Sequence, residues 1–251
     1  MGTFKITVSY DGTGFVGWQR QAEGTSVQGL VENALRDLDE REVAVVGAGR
    51  TDAGVHALGQ VASFALERAI KADTLARALN ARLPASVRIV DAEEAPDGFN
   101  ARFGARTKTY RYRLWNADVL NPFERCYVWH VSGALDLDSM AKAARLIEGR
   151  HDFAGFQAAG SGAATTERVI ISSRIKGHSE ASSPPSDLIE YEVCGNGFLR
   201  HMVRTIVGSL VEIGRGRRTP EWMADLLTWK ERARAGPTAP AEGLFLVAVE
   251  Y

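Results

Sequence analysis

Two hydrophobic periodicities alternate along this chain, and their order leaves few folds open. Residues 4–10 (FKITVSY) are apolar at every second position, as a strand with one buried face is. Thr25 or Ser26 then caps a segment in which Val27, Leu30, Val31, Ala34, Leu35 and Leu38 share one helical stripe. Residues 43–46 and 60–66 read as strands, 72–83 as a helix halted by Pro84, and 87–95 as a strand. The order is strand, helix, strand, strand, helix, strand. The second half runs through it again: a strand at 107–115, a helix at 137–147, strands at 168–175 and 188–194, an amphipathic helix at 198–213 and a closing strand at 244–249.

A βαββαβ unit met twice predicts an α+β chain of two tandem ferredoxin-like halves, 1–104 and 105–251, joined near residues 98–106. The halves share no obvious sequence identity. A short strand at 127–131 and a helix at 220–227 are additions to the second half, and 158–166, 180–187 and 233–242 read as mobile loops. No run of about 18 apolar residues occurs, and the N-terminus enters a strand pattern without a signal-peptide profile, so a cytoplasmic protein with no membrane span is expected. Cys126 and Cys194 lack CxxC spacing and predict reduced thiols.

Three segments carry chemistry. Residues 12–17 (GTGFVG) match GxGxxG after a strand, but the helix begins only near Ser26, so the match predicts a glycine-rich turn presenting Trp18 and Gln19, with no dinucleotide site. The five histidines never fall into HxH, HxxH or HExxH spacing, which argues against a metal. Residues 47–59 (GAGRTDAGVHALG) frame an Arg-Thr-Asp triplet with four glycines between two short strands. Asp52 then projects from a tight loop at a strand end, where reactive carboxylates are often placed, although Asp-Ala-Gly is also a plain turn.

The formal charge is −1, from 30 Lys+Arg against 31 Asp+Glu, which excludes a generally basic protein. The positive charge is clustered. Residues 100–115 hold Arg102, Arg106, Lys108, Arg111 and Arg113 without an acid, and 198–219 hold Arg200, Arg204, Arg215, Arg217 and Arg218 against Glu212 alone. Strand alternation turns Lys108, Tyr110 and Tyr112 one way and Thr109, Arg111 and Arg113 the other. Interleaved aromatic and cationic side chains suit an RNA backbone with an unstacked base; an edge strand protected by charge has the same composition. Arg200 and Arg204 lie four apart beside the apolar stripe of the 198–213 helix.

The segments YDGTGFVGWQRQ (10–21), GAGRTDAGVHALGQVASF (47–64), FNARFGARTKTYRYRLWN (99–116), GNGFLRHMVRTIVG (195–208) and AEGLFLVAVEY (241–251) together resemble the TruA family of bacterial tRNA pseudouridine synthases. The resemblance implies a cofactor-free isomerase that converts uridine to pseudouridine at positions 38, 39 and 40 of the tRNA anticodon stem-loop. It also implies that the sheets of the two halves join across a central catalytic cleft, and that two copies form a homodimer. By motif, Asp52 matches the family's catalytic aspartate, Tyr110 the tyrosine that packs on the target uracil, and Arg204 the basic residue paired with the aspartate. Arg50 matches the arginine associated with extruding the nucleotide, and Leu244 a residue lining the base pocket. Lys108 and Arg200 are expected to contact the substrate.

Overall fold

The computed structural model describes residues 2–158, 164–177 and 187–251. It is an α+β structure of two compact units, Met1–Arg106 with Phe245–Tyr251, and Thr107–Leu244. In the first unit, β1 (Gly2–Tyr10) leads to α1 (Val27–Asp39), the two-residue β2 (Val46–Gly47), β3 (His56–Leu66), α2 (Ala72–Asn80) and β4 (Val87–Ala95). The strands pair antiparallel in the order β4, β1, β3, β2. Phe4, Ile6, Val8 and Tyr10 are buried along β1, as the alternation requires, and Phe4 stacks on Phe64 directly across the ladder.

Helix boundaries follow from polar groups that hydrophobic periodicity ignores. Ser26 starts α1 by accepting a hydrogen bond from the Gly29 amide. Gln28 is buried while Leu30 is only half-buried, because the Gln28 amide donates to the Val45 carbonyl at 2.9 Å and so enters the interior satisfied. The α2 helix stops at Asn80, short of 83. There the Asn80 amide binds both backbone groups of Ile89 at 2.8 Å and ties the helix end to β4. The β3 strand begins at His56, so residues 56–59 are strand and the glycine-framed loop is shorter than its sequence suggests.

The second unit contains β5 (Thr107–Trp115), β6 (Trp129–His130), α3 (Leu137–Arg145), β7 (Gly149–Asp152), β8 (Glu167–Lys176), β9 (Leu188–Gly195), α4 (Met202–Gly214) and α5 (Trp222–Trp229). Its antiparallel order is β5, β9, β8, β7, with β6 parallel to β5. The β7 strand was not expected. Its residues, GRHD, carry no apolar alternation, and it is an edge strand held by backbone pairing to β8. The α4 helix starts at Met202, not at 198: His201 adopts a left-handed backbone with φ of 62°, which breaks the apolar run begun by Phe198 and Leu199. Buried Val203, Ile206, Val207 and Leu210 form its inner face.

The last strand, β10 (Leu244–Glu250), leaves the second unit at its first residue and runs parallel to β3 through Phe245 with His56 and Leu246 with Ala57. Tyr251 follows, donating its hydroxyl to the Ala101 carbonyl at 2.8 Å. Residues 245–251 thus group with the first unit, whereas periodicity alone assigns them to the second half. Most of 158–166 and 180–187 lies outside the described residues. Residues 233–242 do not form the loose loop expected; short 3-10 turns at Arg232–Arg234 and Ala241–Gly243 bracket a segment hydrogen-bonded to α4.

Candidate active site

In the first unit the loop between β2 and β3 holds Arg50, Thr51 and Asp52. Thr51 is buried, and its hydroxyl shares a 2.7 Å hydrogen bond with the Tyr10 hydroxyl at the end of β1. Burial pushes the Tyr10 phenol well above its ordinary range, against hydrogen bonding from Thr51 and Gln60, so it is a neutral group there. The Thr51 carbonyl accepts from the Trp18 amide at 3.1 Å, and the Asp52 carbonyl accepts from the Val55 amide at 3.1 Å to close a turn. With Thr51 held and the Asp52 carbonyl closing the turn, the backbone at Asp52 is fixed, and the residue is half-buried.

Gly12 and Gly17 are the wall behind this loop, while Gly14 faces open space. Gly17 has φ of 105°, and a Cβ there would fall 2.5 Å from the Thr51 carbonyl oxygen. A Cβ on Gly12 would strike the Val55 carbonyl, and the Gly12 amide donates to His56 Nδ1 at 2.9 Å. The first and last glycines of GxGxxG therefore serve close backbone approach to the Arg-Thr-Asp loop, and Gly14 supplies only a left-handed turn residue, φ 82°. Trp18, read as presented by this turn, is instead 1% exposed and packs where a Gly47 side chain would stand.

Arg50 is exposed, with Nε donating to Gln19 Oε1 at 3.0 Å. Gln19 donates in turn to Gln28 Oε1 at 2.7 Å, and Gln28 reaches the Val45 carbonyl. A chain of amides thus ties the guanidinium to α1 through Nε. Sequence reasoning passed over Gln28 and Thr51. Their signal was a polar residue on the buried stripe of a helix and a β-branched hydroxyl between two charged residues.

In the second unit, β5 alternates as expected: Tyr110, Tyr112 and Leu114 are buried on one face. Tyr110 is 7% exposed and meets Phe198 edge-to-face, with centroids 5.0 Å apart. Lys108 lies on the same face and is half-buried. The opposite face does not form the free cationic strip that the sequence suggests. Arg111 Nη2 lies 2.9 Å from Glu192, which also receives Lys176 at 3.1 Å, and Arg113 lies 3.2 Å from Glu124. Hydrogen bonds from Arg111 and Lys176 hold the Glu192 carboxyl below its ordinary range, outweighing the effect of burial, so these cations are committed within the protein. Arg217 is likewise paired with Glu212 at 3.0 Å.

Arg200 is exposed in the turn before α4, so it does not share a helix face with Arg204. Arg204 stands in the first turn of α4, where Nε donates to the Ala239 carbonyl at 2.7 Å and its own carbonyl accepts from the Ala239 amide at 3.1 Å. Leu244 is buried at the start of β10. It follows Gly243, whose missing side chain makes room for the Tyr112 ring, while the Tyr112 hydroxyl donates to the Pro240 carbonyl at 2.8 Å. The site residues thus divide between units: Arg50 and Asp52 in the first, Lys108, Tyr110, Arg200, Arg204 and Leu244 in the second. Among the described residues no cluster of three or more His, Cys, Asp or Glu is placed to hold a metal, and no helix is long and apolar enough to cross a membrane.

A family model described as tRNA pseudouridine synthase matches residues 6–104 and 143–251. It includes Arg50, Asp52, Arg200, Arg204 and Leu244, while Lys108 and Tyr110 fall in the unmatched stretch. Proteins named tRNA pseudouridine synthase A align over the whole chain. The one from Geobacter sulfurreducens is 44% identical over 251 residues, covering 100% of both chains. That from Moorella thermoacetica is 45% identical over 253 residues, again covering 100% of both. That from Myxococcus xanthus is 44% identical over 251 residues, covering 100% of this chain and 92% of its own.

Proposed function

The chain belongs to the tRNA pseudouridine synthase family, and from that premise we propose how its residues divide the work. It is an isomerase acting on tRNA: uridine becomes pseudouridine when the N1–C1′ bond breaks and a C5–C1′ bond forms, with no net redox change or hydrolysis. The targets are uridines 38, 39 and 40 of the anticodon stem-loop. Asp52 is the reactive carboxylate, acting at C1′ as nucleophile, by assisting loss of uracil to a glycal, or by attack on C6 of the base. Arg204 is the cation that serves this carboxylate through charge-assisted hydrogen bonds.

Tyr110 receives the detached uracil on its ring, an interaction worth roughly 1–3 kcal/mol for a base on an aromatic face, and Leu244 completes the apolar wall of the base pocket. Arg50, anchored through Nε, offers its outer nitrogens to the backbone of a nucleotide drawn from the stack, a movement that costs a few kcal/mol. Lys108 and Arg200 add phosphate contacts. The reading further takes the two halves, 1–104 and 105–251, as ferredoxin-like modules with joined sheets flanking the catalytic cleft. It takes the enzyme as a cytoplasmic homodimer that needs no metal or nucleotide cofactor.

The observation that carries this reading is the support of the Asp52 loop. A carboxylate that follows the buried, hydrogen-bonded Thr51, in a turn closed by its own carbonyl on the Val55 amide and backed by Gly12 and Gly17, is pre-aimed at low entropic cost. Tritium release from 5-tritiated uridine in unmodified tRNA tests it. Release confined to positions 38–40 is expected; binding without release would leave an RNA-binding protein.

A further inference from the structure

The segment linking α5 to β10 is braced along its length. Arg232 spans it like a fork, Nη1 donating to the Gly236 carbonyl at 3.0 Å and Nη2 to the Thr238 hydroxyl at 2.8 Å. The Gly236 amide donates to the buried Ser209 hydroxyl at 3.0 Å, and Ser209 donates to the Thr205 carbonyl at 2.9 Å. Gly208 leaves no room for a side chain, since a Cβ there would run into the Pro237 carbonyl. The strap is thereby pressed onto α4 over one helical turn. At its far end lies Ala239, fully buried, whose carbonyl receives Arg204 Nε and whose amide bonds the Arg204 carbonyl.

We propose that Arg232 is a positioning residue for the tRNA reaction: by holding residues 236–239 against α4 it sets the Ala239 carbonyl that orients the Arg204 guanidinium. This rests on the role given to Arg204 above. The geometry explains why a second arginine is used. Two acceptors two residues apart are met at once by a planar fork, whereas a lysine ammonium has no fixed pair of parallel donors. With Nε bound to a carbonyl, rotation of the Arg204 guanidinium about its long stem is arrested. A carboxylate served by Arg204 is then met by its terminal nitrogens in one plane. Loosening the strap restores that rotation, and misplacement of such a group by an ångström costs about a hundredfold in rate.

The test is kinetic, on the full-length enzyme with an unmodified tRNA transcript. Arg232→Lys is expected to lower kcat about tenfold with KM within about twofold, and Thr238→Val, which removes only the second acceptor, about threefold. In an Arg204→Lys background, which has no Nε–H to bond Ala239, each change is expected to add less than about twofold. Equal loss in both backgrounds, or a lower Tm with kcat unchanged, overturns the proposal and reduces Arg232 to a brace. Wild-type kcat in Arg204→Ala and Arg204→Lys would remove the role of Arg204 itself, a separate result that takes the proposal with it. If Arg232→Lys is recovered unfolded, the Thr238→Val comparison across the two backgrounds decides alone.

Discussion

The loop carrying Asp52 and the strap behind Arg204 are both glycine-bearing connections seated by close backbone approach, yet different side chains secure them. Residues 48–55 are held by backbone pressed on backbone: Gly12 and Gly17 lie where side chains would strike Val55 and Thr51. Residues 236–240 also press backbone on backbone, at Gly208 and Pro237, but are secured in addition by two arginines, Arg232 and Arg204, and by Ser209, on a segment with no partner strand. Neither arrangement tolerates an added atom at these glycines. The second can be loosened one hydrogen bond at a time, so it tunes a group where the first places one.

The largest effect expected within this contrast is at the tip of the first loop. Asp52→Asn removes the reacting charge and changes little else, so tritium release should fall at least about a thousandfold while tRNA affinity in filter binding falls less than tenfold. Turnover near wild type would take Asp52 out of its role. Next comes the support. Gly17→Ala adds one methyl where φ is 105° and should lower kcat about a hundredfold with the protein still folded, since the loop must move away from its wall. A loss under threefold would show the loop to be as adjustable as the strap.

Tyr110 is smaller again. Tyr110→Ala should cost about tenfold or more in kcat, from a lost stacking surface of roughly 1–3 kcal/mol, and Tyr110→Phe little. Equal losses would make the hydroxyl the working part.

The smallest effect on catalysis should come from Asp39, at the end of α1 and outside both loops, which serves as a control. Burial acts to raise its carboxyl, but hydrogen bonds from the Arg68 and Glu67 amides and from Arg41 outweigh this and hold it below the ordinary carboxylate range. A group depressed in the folded state contributes stability that is complete above its unfolded pKa, about 4, and is lost as pH falls through the lower folded value. Asp39→Asn should therefore lower Tm by about 2–4 °C at neutral pH and flatten the acid limb of a Tm-versus-pH curve, with kcat unchanged. A change in kcat would mean that global loosening reaches the site.

The strands were legible because alternation is local: Tyr110 and Tyr112 could be put on one face of β5 by counting. The strap was not, since its partners Ser209 and Arg204 lie 27 and 35 positions from the residues they bind, and a window rich in Gly, Ala and Pro carries no mark of them. In the basic stretch 100–115 the pairing of Arg111 and Arg113 was hidden for the same reason. Its acids, Glu124, Glu190 and Glu192, come from other segments, and only the β5–β9 register brings Arg111 opposite Glu192. The start of α4 was misplaced because Phe198 and Leu199 continue an apolar helical rhythm, while the break lies in a single backbone angle at His201. Asp52 was legible as a candidate from its glycine frame, but not the wall that gives the frame its purpose.

The pairing of β10 with β3 has a consequence in time. On the ribosome the first unit emerges without residues 245–251, and these follow only after the whole of the second unit has been made. The ring of His56, at the root of the Asp52 loop, stacks on Phe245 at 4.6 Å, a contact that a nascent chain cannot form until synthesis has passed both units. Chains released before residue 245 thus lack the ring that stacks on His56 at the root of that loop.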